Sequence, residues 1–151
     1  MVINMSAMKI MRIGVMGTLR GATYVEQFSN REDSVVTAVC DFNPKSLENV
    51  KEIVEEKNIA VFDNFDDFIE SGLFDAVMLA NYFYEHAPFA IRAMEKGIHV
   101  LSECTPALTM AECVELCRTV ERTGCKYMLA ENYPQMKFNR EMKKICDGGT
   151  L

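Results

Sequence analysis

No apolar run in this 151-residue chain approaches the ~18 residues of a membrane span. Basic residues are outnumbered, 16 Lys and Arg against 22 Asp and Glu. The resulting net charge of −6 excludes the basic footprint that nucleic acid demands. The opening Met1–Met8 lacks a basic segment followed by an apolar one, so it is no secretory signal. Residues 1–8 are expected to be a leader or an expression remnant. With only two histidines, no Ser/His/Asp arrangement and no Cys-x-x-Cys spacing, a metal site is not expected. Repeats, low-complexity tracts and internal linkers are likewise missing.

What is present is an ordinary globular composition, 49% hydrophobic and 25% charged, at a length that suits one domain. The six cysteines fall inside periodic segments rather than loops, which points to reduced thiols and a cytoplasmic setting. Cys113 and Cys117 share a helical face with Leu116 and Val120.

Strand and helix patterns alternate from end to end. Strands are expected at Ile10–Met16, Val35–Cys40, Ala60–Phe62, Phe74–Ala80, His99–Ser102 and Lys126–Ala130. Between them, helices are expected at Ala22–Asn30, after Asn43-Pro44, at Asn64–Ile69, at Glu85–Lys96, from Thr109 to Gly124, and at Met136–Cys146. Asn43 can cap free amides while Pro44 opens the helix without losing a hydrogen bond. Thr109 and Glu112 have capping-box spacing, and Gly97 suits a left-handed stop. Six strands separated by helices imply a doubly wound parallel α/β sheet with helices on both faces.

The first strand runs into Gly17-Thr18-Leu19-Arg20-Gly21-Ala22. This reads as a dinucleotide-binding turn, Gly-x-Gly-x-x-Gly/Ala, with its middle glycine replaced by Leu19. Gly17 serves the tight turn and Ala22 the close helix–strand packing. Leu19 stands where a bare backbone normally lets amides approach a pyrophosphate, and Arg20 could meet a phosphate directly. Asp41 closes the second strand at the spacing of the ribose-binding carboxylate. Among the other residues, Asp63, Asp66, Asp67 and Glu70 read as a solvated helix face, and His99 as structural.

Further on, Asp75–Asn81, His86 and the run Gly97-Ile98-His99-Val100-Leu101-Ser102-Glu103 resemble the Gfo/Idh/MocA oxidoreductases, from roughly Lys9 to Leu151. The resemblance implies an amino-terminal Rossmann domain over residues 9–151. It also implies a carboxy-terminal substrate domain, absent from this chain, that often carries an oligomer interface. The implied partner is a sugar, inositol or related polyol, and the implied activity is hydride transfer with NAD(P).

Carried over by position, Gly17, Thr18, Leu19, Arg20, Asp41, Asn81, Tyr82, His86, Glu103 and Asn132 would contact the cofactor. Asp41 favours NAD over NADP, because an anion repels a 2′-phosphate. The family's Glu-Lys-Pro motif becomes Glu103-Cys104-Thr105, with Pro106 one place late. Cys104 therefore occupies the position of the lysine that handles the substrate proton. Cys104 and His86 are the candidate catalytic residues, and Cys104 is expected to be the most readily alkylated thiol. NAD-dependent glycosidases of the same fold also lack that lysine, so an oxidise–eliminate–reduce course is an alternative. A non-catalytic binding or regulatory protein is another. These residues alone are expected to show no turnover.

Overall fold

A computed structural model of the chain describes residues 9–149. The expected leader at residues 1–8, and the last two residues, lie outside the described residues.

Six strands form one sheet: β1 (Met11–Met16), β2 (Ser34–Cys40), β3 (Ala60–Phe62), β4 (Ala76–Leu79), β5 (His99–Ser102) and β6 (Tyr127–Leu129). Their spatial order is β3-β2-β1-β4-β5-β6, and every neighbouring pair is parallel. Such a sheet needs cover on both faces, and seven helices are described around it. They are α1 (Thr18–Ser29), α2 (Pro44–Leu47), α3 (Lys51–Lys57), α4 (Phe65–Glu70), α5 (His86–Glu95), α6 (Met110–Thr123) and α7 (Lys137–Asp147).

Strand alternation sorts the core into two layers. Met16, Val77 and Leu79 pack with Phe65, Phe68, Met94 and Leu116 of α4, α5 and α6. Val15, Val39 and Met78 pack on the opposite face with Val25 of α1 and Val50. Phe65 stacks on Phe89 with ring centroids 3.9 Å apart, and Phe68 meets Phe74 at 4.5 Å. Each fully buried side chain of this size contributes about 1.5–3 kcal/mol through removal from water.

The caps behave as the sequence suggests. The Asn43 side chain accepts from the Lys45 amide at 3.0 Å, with Pro44 opening α2. Thr109 and Glu112 form a complete capping box, and Gly124 ends α6 in the left-handed region. His99 is structural: its Nδ1 accepts from the Lys126 amide at 3.1 Å, fastening β5 to the entry of β6. Of the acidic face on α4, Asp66 pairs with Arg92 and Glu70 with Lys96.

Among the differences from the sequence reading, three bear on packing and the site. The helix expected from Asn43-Pro44 breaks at Glu48–Val50 into a tighter 3-10 turn that sinks Val50 into the core. Cys117 is exposed, although Leu116 beside it is buried. The third difference is at α1, which begins at Thr18 rather than Ala22. Leu19 and Arg20 thus belong to the first helical turn instead of a preceding loop. The conformation of Gly17 explains this. Its φ of +87° turns the chain at once from strand to helix, and a Cβ there would stand 2.5 Å from the Asn81 amide. The close packing assigned to Ala22 falls on Gly21, where a Cβ would come within 2.8 Å of Val15 Cγ1.

Candidate functional site

The carboxyl ends of β1, β2, β4, β5 and β6 open onto one edge of the sheet, the edge where open α/β folds bind ligands. The strand order reverses between β1 and β4, and the start of α1 lies beside that reversal. Two groups of side chains occupy this edge.

The first surrounds Asp41, one residue beyond β2. Its Oδ2 accepts from the Thr18 amide at 2.7 Å and from Thr18 Oγ1 at 3.1 Å, while its Oδ1 accepts from the Asn43 amide at 2.9 Å. Thr18 is 0% exposed, so the carboxylate is anchored to a buried partner at the head of α1. Beside it lies a cavity of about 330 Å³, lined among others by Leu19, Arg20, Asp41, Phe42, Asn81 and Tyr82. Leu19 projects outward, 76% exposed. Phe42 touches Phe89 edge-on, and Tyr82 stacks on Tyr84 with centroids 5.7 Å apart. The Asn81 side chain donates to Glu85 at 3.0 Å through Nδ2, while its buried Oδ1 has no partner among the described residues. One anchored anion beside aromatic surfaces can take a nucleoside, with the carboxylate accepting from ribose hydroxyls and the rings meeting a flat base.

The second group lies at the ends of β5 and β6. Glu103 Oε1 accepts from Arg20 Nε at 2.8 Å and from the Tyr24 hydroxyl at 2.7 Å. Burial alone would raise the Glu103 pKa, but the Tyr24 and Arg20 hydrogen bonds and the Arg20 charge bring it below the ordinary carboxylate value. Tyr24 is pushed up to about 12, first by burial and then by its bond to Glu103. Cys104 Sγ donates to Glu131 Oε2 at 3.3 Å. Partial burial and the Glu131 carboxylate hold the thiol pKa above its usual value. Glu131 is itself lowered by the Tyr133 amide, which donates to it at 2.8 Å, and by Cys104.

The candidate residues therefore divide. Leu19, Arg20, Asp41, Asn81 and Tyr82 line the cavity with Gly17, and the buried Thr18 stands behind it, bonded to Asp41. Glu103 and Cys104 sit one strand further along, and Asn132 is exposed just beyond β6. His86 is 1% exposed, and its Nδ1 lies 2.8 Å from the Thr105 carbonyl oxygen. A carbonyl can only accept, so Nδ1 carries the proton and His86 ties α5 to the loop after β5. Cys104 is exposed along with Cys117 and Cys146, and desolvation and the Glu131 carboxylate push its pKa above that of an ordinary thiol. Tyr24, Gly21, Phe42 and Glu131 were not singled out from the sequence. Gly21 carried a signal, four residues after Gly17. The contacts of Tyr24 and Glu131 cross 79 and 27 residues and had none.

Residues 11–131 match the profile of GFO_IDH_MocA, described as an oxidoreductase family with an NAD-binding Rossmann fold. The chain belongs to the Gfo/Idh/MocA oxidoreductase family. Among similar proteins, an alpha-N-acetylgalactosaminidase of Shewanella oneidensis is 34% identical over 133 residues, covering 83% of this chain and 29% of that protein. A glycosyl hydrolase family 109 protein of Shewanella baltica is 33% identical with the same coverage. This Gfo/Idh/MocA chain thus spans less than a third of the length of either relative. A scyllo-inositol dehydrogenase from Lactobacillus casei, solved with bound NAD(H) and scyllo-inositol, superposes with a TM-score of 0.80 at 22% identity. It covers 95% of this chain and 42% of the dehydrogenase, a likeness that shows the shared fold. No described helix is long and apolar enough to cross a membrane.

Proposed function

We propose that this chain is the cofactor half of an NAD-dependent enzyme that moves a hydride between nicotinamide and a carbon of a sugar, inositol or polyol. The observation that carries this reading is Asp41, an anchored carboxylate at the end of β2 beside an aromatic-lined cavity. The residues fit the cofactor. Asp41 retains lone pairs for ribose hydroxyls, and its charge disfavours a 2′-phosphate, so NAD is preferred over NADP. The first amides of a helix have no intrahelical acceptor, which leaves those of Leu19 and Arg20 for phosphate oxygens. Asn81 and Tyr82 would face the adenosine. Glu103 and Asn132 would lie towards the nicotinamide ribose.

When bound, the nicotinamide supplies the hydride acceptor or donor. The chain's residues orient it and manage protons. Cys104 stands where the family's lysine would be and brings a neutral thiol instead of a fixed cation, with the Glu131 carboxylate next to it. His86, held on Thr105, positions the loop that carries Cys104. The rest of the substrate site is assigned to residues outside this chain's span, since the match covers only 29% of each relative. Turnover by these residues alone would then be undetectable, because orienting donor and acceptor supplies several kcal/mol of catalysis.

A second reading is favoured by two observations: the missing lysine, and the 33–34% identity to proteins named as glycosidases. In that course the sugar carbon would be oxidised only transiently, the aglycone would leave by elimination, water would add to the resulting unsaturated ketone, and the hydride would return. The readings separate on whether NADH accumulates from NAD and sugar: net oxidation accumulates it, transient oxidation releases the aglycone without it. The common premise is tested by titrating this chain into NADH and following the nicotinamide fluorescence. A saturable change supports it. No change up to millimolar NADH would favour a non-catalytic protein that kept only the fold.

A further inference from the structure

Arg20 is an unusual residue for the first turn of α1. Its side chain does not simply extend into solvent. Nε donates to Glu103, the next helical turn contributes Tyr24 to the same carboxylate oxygen, and the guanidinium carbon lies 5.7 Å from the Tyr24 ring centroid. Glu103 Oε2 receives the Cys104 amide at 3.4 Å, which fixes the carboxylate to the end of β5. Glu103 takes only the Nε donor of Arg20. Among the described residues the Nη donors meet no protein acceptor, and Arg20 lines the same cavity as Asp41 and Tyr82.

The backbone nearby is poorer in free donors than a glycine-rich turn. The Thr18 amide is already taken by Asp41, and Leu19 carries a side chain where close approach would need none. The Leu19 and Arg20 amides remain as neutral donors, so a full positive charge to match an anion must come from a side chain. Arginine's planar fork can be held by one partner while it presents its remaining N–H groups to a phosphate.

We infer that Glu103 and Tyr24 are positioning residues that aim Arg20 at the cofactor's pyrophosphate, so that a guanidinium adds its donors to the few helix-start amides left free where the middle glycine is replaced. This rests on the proposed NAD reading and deepens it. It also assigns Glu103 a partner at the phosphate end of the site, linking α1 to the loop that bears Cys104. The bland alternative is an exposed ion pair that merely joins α1 to β5, and such pairs contribute little.

Ligand-observed NMR titrations of this chain with adenosine and with ADP-ribose decide between them, since only ADP-ribose carries the pyrophosphate. The variants are Arg20→Gln, Arg20→Lys, Glu103→Gln and Tyr24→Phe, each with a thermal midpoint measured without ligand. A charge-assisted hydrogen bond lost from a phosphate corresponds to roughly a ten-fold loss of affinity. Arg20→Gln should therefore weaken ADP-ribose about ten-fold and leave adenosine within about two-fold. Glu103→Gln and Tyr24→Phe should weaken ADP-ribose by roughly three-fold, again sparing adenosine, because they loosen the aim and not the charge. Arg20→Lys keeps the charge without the fork, and should fall between Arg20→Gln and the wild type; it carries the test if Arg20→Gln does not fold. Equal effects on both ligands, or none on ADP-ribose, would overturn the inference while the cofactor reading stands. If the unaltered chain binds neither ligand, the cofactor reading itself fails.

Discussion

The two ends of the ligand edge are built differently. Around Asp41 the polar group is fastened to the backbone by short local contacts: a helix-start amide, a buried hydroxyl and a neighbouring turn. Around Glu103 and Cys104 the polar groups are fastened to one another by long side chains from α1, β5 and β6. The second is an open cluster whose geometry depends on hydrogen bonds between side chains. An end of the first kind is held in place by backbone contacts, whereas the second kind can shift with its side chains.

The sharpest break in this comparison is Gly17→Ala. A Cβ at φ +87° would press on the Asn81 amide and the Ala80 carbonyl, which are backbone atoms that cannot swing aside. Loss of about 3 kcal/mol or more is expected, read as a lowered denaturant midpoint, with NAD binding abolished. A stable variant that still binds would show that the first end is not held in place by its backbone contacts.

Alkaline pH probes the second end. Tyr24 has a folded pKa raised to about 12 against an unfolded value near ~10, so its contribution is fully present below ~10 and is lost as pH rises towards 12. Cys40, buried at the end of β2 and near Asp41 and Asp63, is also pushed up to about 12 and acts in the same direction above its unfolded value near ~8.5. The thermal midpoint should therefore fall between about pH 9 and 12, and Tyr24→Phe should make that fall shallower. An identical profile in the variant would remove Tyr24 from the network.

A smaller effect is expected at Leu19. Leu19→Gly restores the bare backbone at the middle position and should tighten NAD about five-fold, despite a helix-propensity cost near 1 kcal/mol. Unchanged affinity would mean that the phosphates do not approach this turn.

The smallest effect concerns Cys104. Replacing Glu131 with Gln removes the carboxylate that holds the thiol proton on, so iodoacetamide labelling of Cys104 at neutral pH should rise by about three-fold. Cys117 and Cys146, exposed on helices away from Glu131, serve as internal references in the same mass spectra. Labelling of Cys104 that is fast in the unaltered chain and unmoved by Glu131→Gln would refute the contact.

Much of the first end was legible in the sequence, because local rules built it. Gly17 needed only its place after an apolar run, Asp41 its spacing, Asn43 and Pro44 their capping chemistry. What the sequence misplaced was the start of α1, since no local pattern distinguishes a loop from a first helical turn whose amide is held by a carboxylate 23 residues away. The second end was legible only by resemblance. Tyr24 has no motif, and Glu131 becomes a partner of Cys104 only because β5 and β6 are neighbours in the sheet. His86 shows the same limit from the other side: the sequence offered it as a candidate catalytic and cofactor residue at a helix start, and only the fold shows it buried against the Thr105 carbonyl.

The central claim is that an anchored Asp41 selects a dinucleotide with a free 2′-hydroxyl. Calorimetric titration of this chain with NAD and with NADP tests it most directly. The account predicts weak but saturable NAD binding, with NADP at least about ten-fold weaker, a gap that closes in Asp41→Asn. Micromolar or tighter binding of NADP by the unaltered chain would contradict it.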